Sequence, residues 1–418
     1  MRLTRRQFLK TGATVVGAGA LLPVVFQKAL VSLNDQRVHG AAPDDGKVLV
    51  VVQMAGGNDG LNMVVPVADG RYYDARPGLA VPQAQALPLN DTTGLNPSMV
   101  KLKDLWDLGV VAIVEGVGYP TPNFSHFVSM DIWQEADPAQ KLSDGWLGRY
   151  FDRTVGKQEA PFLGLAIGSA LPTAFRSYNV AVPSLENIAT YQFQSDPRAP
   201  SLAAPRLQAL KAWYASGHTS LPAYGPLLDE TFKAADISIV TLQNAHSAYK
   251  ASVQYPTGNT LASALQLVAE AISANVGVKV CHVSIGGFDT HANQTVDQPR
   301  QLGFLATALN AFYLDLQAKG LDSKVLIMTW SEFGRRVKSN ASTGTDHGSA
   351  APLFFIGTPV KGGLYGQRPD LGNLDNGNLK FTTDFRTVYA TALDGWLNAP
   401  SKDLLRGVFQ PIPLWKAA

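Results

Sequence analysis

The chain lacks the features that mark most special classes of protein. It has a single cysteine, Cys281, in 418 residues, so no disulfide can form within it and its stability must come from a packed core. Cys281 lies in an apolar, strand-like run, where a buried, inert thiol is expected and not a nucleophile. No Lys/Arg-rich run occurs, which removes the electrostatic footprint of a nucleic-acid binder. Beyond the N-terminal leader no apolar stretch is long enough to span a bilayer, so no stable membrane span is expected after the leader is removed. There is no internal repeat and no low-complexity tract. What remains is ordinary for a globular protein: 46% hydrophobic residues, a net charge of +2 and a mean hydropathy of +0.00.

The N-terminus is more specific. Thr4-Arg5-Arg6-Gln7-Phe8-Leu9-Lys10 is followed by a Gly/Ala-rich apolar stretch up to Val25. A twin-Arg region before a short, weakly hydrophobic segment reads as a twin-arginine (Tat) export signal; the stretch is too short and too Gly-rich for a retained anchor. Cleavage is expected near His39-Gly40-Ala41-Ala42, making residues 1–42 the signal segment and 43–418 the mature domain. Several of the basic residues belong to the leader, so the mature protein is near neutral or slightly acidic. A periplasmic or secreted location follows, and the lack of disulfides suits a chain that folds before export.

A mature chain of ~375 residues has room for one large core, or a core plus an insert. Apolar β-rich runs predict strands at 47–53, 110–114, 162–167, 278–285, 324–329 and 353–356. Helical spacing predicts helices at 97–108, 125–133, 145–153, 261–274, 298–319 and 384–398. Between 183 and 257 strands vanish and Ala-rich helical patterns take over, which reads as a mainly helical insert or cap. The alternation predicts an α/β fold, a mostly parallel sheet with helices on both faces. The strand, helix and strand across 278–329 form a βαβ unit with parallel strands.

In such sheets sites form beyond the carboxyl ends of the strands. Three acidic loops sit there or nearby: Gly56-Gly57-Asn58-Asp59-Gly60, Gly286-Gly287-Phe288-Asp289-Thr290-His291, and Gly344-Thr345-Asp346-His347-Gly348. Each invites a bland reading as a solvated turn. Asp289 and His291, two apart, can share a side and ligate one ion, and the preceding glycines clear space. Asp346-His347 can address neighbouring ions, or one ion and a substrate. Ser125 reads first as a helix N-cap and second as a nucleophile held at a helix N-terminus. Glu332 is a further acid after a strand, and Arg335 or Arg336 can clamp an oxyanion by paired donors. His218 and His246 fall in the insert and suit surface or packing roles; His282 reads as a packed histidine.

These motifs together resemble a known family. The twin-Arg leader, VVVQMAGGNDGLNMVVP, TPNFSHFVSMDIWQ, SIGGFDTHANQ, TWSEFGRRV and GTDHGSAAPLFFIG look like the DUF1501 family of exported bacterial proteins, across essentially the whole mature chain. That family is grouped with the alkaline phosphatase/sulfatase superfamily. The resemblance implies an alkaline-phosphatase-like core with a centre of one or two divalent metal ions, zinc among the candidates. It implies Asp59, Asp289, His291 and His347 as metal ligands and Ser125 as nucleophile; the hydrolase reading adds Arg335 to steady the anion, with Glu332 supplying the acid after Trp330 or Asp346-His347 playing that part. The substrate would be a small-molecule or polymer ester of phosphate or sulfate. The chain departs from the superfamily pattern after Trp330, where an Asp-His pair is usual and Ser331-Glu332-Phe333 stands instead. The Cys/Ser-x-Pro-x-Arg signature of formylglycine sulfatases is absent, which excludes that chemistry. The alternative expectation is a relative that kept the fold, lost catalysis and serves as a cell-envelope binding or assembly protein.

Overall fold

The computed structural model describes residues 46–154, 162–217 and 225–417. The leader read at 1–42, with His39, and His218 lie outside the described residues.

The fold grows from strand β1 (Val48–Met54), in which every residue is buried. A strand buried on both faces must have cover on both sides. Val48, Val50, Val52 and Met54 enter one core, while Leu49 and Val51 enter the opposite one. The first core is covered by helices Val100–Asp107, Thr260–Ser273 and Gln294–Ala318. The second is covered by His126–Glu135, Trp146–Thr154 and Phe385–Gly395. The result is the predicted α/β sandwich with helices on both faces.

The central sheet has nine strands: β1, β2 (Val111–Gly118), β3 (Gly164–Ile167), β4 (Ser184–Leu185), β5 (Val280–Ile285), β6 (Val325–Trp330), β7 (Ala351–Ile356), β8 (Gly363–Tyr365) and β9 (Thr383–Asp384). Their order is β8-β2-β7-β6-β1-β5-β3-β4, with β9 also on β2. Only β7 runs against the rest. The strands of the predicted βαβ unit, β5 and β6, are parallel, but β1 inserts between them. In register, Gln53 stands opposite Ser284 on one side and Trp330 on the other. The loops after β1, β5 and β6 therefore leave one edge together. Ala351, at the start of antiparallel β7, pairs with Val117 near the end of β2. That reversal brings the loop before β7 and the loop after β2 to the same rim.

Two expectations need revision. The region 183–257 does contain helices, Ala203–Ala215 and Gly225–Ala248, but Ser184–Leu185 adds a parallel edge strand to β3. Tyr191, Ile239 and Leu242 join the first core, so its inner side is continuous with the main domain. The helix expected at 298–319 starts four residues earlier, as α1 (Gln294–Ala318), with Pro299 inside it. This earlier start places Gln294 and Gln298 one turn apart, both buried and facing the loop after β1.

Candidate metal centre

Three loops deliver imidazoles to one carboxylate. Helix α2 (His126–Glu135) begins with His126, its ring over Phe333 at a centroid distance of 4.8 Å. Glu332 Oε1 lies 2.7 Å from His126 Nδ1 and accepts from the Gly56 N–H at 2.8 Å. A carboxylate only accepts, so Nδ1 carries the proton and Nε2 presents its lone pair. That Nε2 is buried, has no hydrogen-bond partner, and lies 3.4 Å from Asp289 Oδ2. His347 repeats the arrangement. Its Nδ1 donates to the Phe124 carbonyl at 2.7 Å, and its Nε2 lies 3.2 Å from Asp289 Oδ1. His291 is the third: Nδ1 faces Asp346 Oδ1 at 3.3 Å and Nε2 faces Asp289 Oδ1 at 3.2 Å. The His291 and His347 Nε2 atoms are themselves 2.9 Å apart.

The donor set fits a cation. Nitrogen lone pairs and a carboxylate converge where only a proton or a positive ion can be shared between them. The candidate ligand atoms of His126, Asp289 and His347 all lie within 4.8 Å of one another. Two ligands on one tetrahedral ion with bonds of about 2.0–2.1 Å stand roughly 3.3–3.4 Å apart, close to the separations of 3.2 and 3.4 Å from Asp289 to His347 and His126. Each imidazole is also held from behind by an oxygen, the pattern that fixes tautomer and ring orientation in metal sites.

Charge reinforces this. Partial burial pushes the Asp289 carboxyl up, but the hydrogen bond from Arg335 and the Arg335 charge outweigh it, and the group is held down at about 2. Burial pushes His347 below its ordinary value, which keeps the ring neutral. The Asn340 amide, then His291, hold Asp346 below the usual carboxylate range.

The glycines in the loop after β1 have a steric purpose. Gly56 has φ +119°, and a Cβ there would sit 2.4 Å from the Asp289 backbone nitrogen. Gly57 has φ +69°, and a Cβ there would sit 2.2 Å from the Phe333 ring. Neither position admits a side chain, because the loops after β1, β5 and β6 pack through them.

Not all the expected ligands gather here. Asp59 is 1% exposed and forms a bidentate pair with Arg76, itself fully buried. Gln294 donates to its Oδ2 at 2.5 Å and the Leu61 N–H to its Oδ1 at 3.2 Å. Both oxygens are spent, and the structure does not bring Asp59 into the cluster. Glu332 and Asp346 stand behind imidazoles, not among the converging atoms. Arg335 is fully buried and does not clamp a substrate: Nε donates to the Gly57 carbonyl at 2.6 Å, Nη1 to Thr345 at 2.8 Å, and Nη2 to Phe288 at 3.1 Å and Asp289 at 2.7 Å, with Gly56 also in contact. It ties three loops together and fixes Asp289. Ser125 is exposed at the N-cap position of α2, yet its side chain makes no capping bond.

The candidate ligand that sequence reasoning passed over is His126. It stood beside Ser125, which drew attention as the nucleophile, and its partners Glu332 and Asp289 are more than 150 residues away. The signal was present in Ser125-His126 at a predicted helix start. Cys281 and His282 match their expectations: both are buried, and burial pushes the Cys281 thiol up.

A sequence profile of the family described as "Protein of unknown function (DUF1501)" matches residues 111–397, more than half of the chain, and the chain belongs to that family. No curated protein matches it. Similar solved structures include a protein in the alkaline phosphatase superfamily from Vibrio parahaemolyticus, with 8% identity, 88% of this chain and 72% of that one covered, and a TM-score of 0.36. The alkaline phosphatase from the Antarctic bacterium TAB5 gives 10% identity, 76% and 94% coverage, and a TM-score of 0.33. The PsFucS1 sulfatase from Pseudoalteromonas sp. gives 11%, 88% and 70%, and 0.35. At these scores the likeness says nothing of substrate or mechanism.

Proposed function

We propose that this protein is an exported hydrolase of phosphate or sulfate esters, dependent on a divalent cation held by His126, Asp289 and His347, with His291 beside them. The observation that carries the reading is the convergence of Nε2 atoms on Asp289, each imidazole anchored through Nδ1. A nitrogen-and-carboxylate set favours zinc or a similar transition ion over magnesium or calcium. Such a cation supplies Lewis-acid polarisation of an ester oxygen and offsets charge on attacking and leaving atoms.

The remaining parts are the chain's own. Ser125 offers an exposed hydroxyl, free of capping duty, one residue before His126. It stands at the positive end of a ten-residue helix, where an anionic phosphoryl or sulfuryl group is stabilised. Glu332 orients His126, Asp346 orients His291, and Arg335 holds Asp289 ionised and in place. The substrate is a small-molecule or polymer ester. Among the described residues no helix is long and apolar enough to cross a membrane.

The test is metal content with turnover of 4-nitrophenyl phosphate and sulfate. Wild type should carry about one transition ion per chain, and His126→Ala should lose it. Ser125→Ala should keep the ion and lose turnover by roughly 100-fold or more. A wild type that takes up no ion, or turnover unchanged in Ser125→Ala, overturns the reading. The saturation of Asp59 by Arg76 favours a second reading, a relative that binds an ion without hydrolysis; a loaded but inert wild type would select it.

A further inference from the structure

We infer that Phe127 is a specificity-determining residue, a stacking surface for a flat apolar ring on the alcohol half of the ester; this rests on the function proposed above. The side chain is 79% exposed, more than any other exposed large hydrophobic side chain among the described residues. It directly follows the ligand His126 in the first turn of α2. Helix phase explains why the core does not take it: α2 turns Ser129, Ile132 and Trp133 inward, leaving Phe127 and Asp131 on the outer side. Scattered exposed apolar residues are common and need no explanation. Here the position supplies one.

The segment 123–127 builds the site itself. The Phe124 carbonyl holds His347, Ser125 carries the free hydroxyl, and His126 aims Nε2 at Asp289. The Phe124 side chain is also exposed, at 39%. On the neighbouring loop Gly286 is exposed and has no heavy atom within 4 Å of the space its Cβ would fill, so that side of the rim is open. An ester whose anionic head sits at the cluster must send its alcohol group outward past this rim. With Phe127 one residue from His126 and exposed, an aromatic ring or the apolar face of a sugar ring on that group offers it a stacking partner, and a methyl group does not. Ring contacts of this kind contribute beyond their buried area.

The experiment uses two non-hydrolysable anions with the same head, phenylphosphonate and methylphosphonate, titrated into the zinc-loaded full protein by calorimetry. Wild type should bind phenylphosphonate about 3- to 10-fold more tightly than methylphosphonate. Phe127→Ala should bring that ratio close to unity with methylphosphonate affinity and zinc content unchanged, and Phe127→Tyr should restore the preference. Equal binding of both by wild type, or a preference that survives Phe127→Ala, overturns the inference and leaves the proposed function standing. Failure of both anions to bind the loaded wild type overturns the two readings together.

Discussion

The loops after β1 and β5 begin alike and end differently. Both follow adjacent parallel strands, and both read Gly-Gly-x-Asp: Gly56-Gly57-Asn58-Asp59 and Gly286-Gly287-Phe288-Asp289. Asp59 turns inward, where the guanidinium of Arg76, the Gln294 amide and the Leu61 N–H saturate it. Asp289 turns outward, half-exposed, with one arginine at its back and three imidazole nitrogens in front. The first carboxylate has its cation built into the chain. The second gives one oxygen to Arg335, while its other oxygen faces the His126 Nε2, so charge remains available to an ion from outside. A carboxylate after a strand is therefore not a ligand by position; what decides is whether donors of the chain already occupy both of its oxygens.

That contrast can be broken at its stronger end first. Asp59→Asn leaves the Arg76 charge buried and half-paired, and should cost about 3–5 kcal/mol in chemical unfolding. The metal content of the folded fraction should stay unchanged. A cost near zero would mean that the pair is dispensable, and a lost ion would mean that Asp59 belongs to the centre after all.

A buried imidazole with no acid behind it sets the next scale. His282 in β5 packs edge-on against Phe175 at 5.9 Å, its Nε2 has no partner, and burial pushes it from 6.5 down to about 4. The folded state refuses a proton that the unfolded chain accepts. Stability from this group is complete above pH 6.5 and is lost as pH falls from there toward 4, by about 3 kcal/mol in all. His282→Phe should flatten that stretch of the pH–stability curve, as measured by denaturant melts at pH 7 and 4.5. An unchanged slope would show that another group drives the loss. Such a group is kept neutral by burial alone, whereas the imidazoles around Asp289 are held by oxygens.

The gentlest intervention is at the open end. Asp289→Asn removes a half-exposed charge but also takes a carboxylate from the buried Arg335, which keeps its bonds to main-chain carbonyls, so stability of the ion-free protein should fall by about 1–3 kcal/mol, less than at Asp59. Ion binding should nonetheless be lost. If the same Asp-to-Asn change costs the ion-free protein as much here as at Asp59, the two loops are alike and the contrast drawn above is wrong.

Much of this architecture was legible from residue patterns. The predicted core strands and the helices flanking them appear in the expected order, because runs such as Val48–Met54 are too apolar to be anything but buried. The site was legible in part. Asp289, His291 and His347 were singled out by local motif, and they do meet. Asp59 carried the same local signal and went elsewhere, because Arg76 lies 17 residues away in a segment with no motif of its own. Arg335 read as a clamp because its sequence gave no sign that main-chain carbonyls of three loops would consume its donors.

The sequence by itself determined the sandwich, the rim and the residue types available there, since hydrophobic period and strand-end glycines act locally. Tertiary structure alone decided which carboxylate stays open and which imidazole completes the centre. Those outcomes depend on contacts across 206 residues between His126 and Glu332 and 277 between Ser331 and Met54. Whether a charge is buried with a partner or left facing solvent is a property of what packs against it, and no local pattern carries that information.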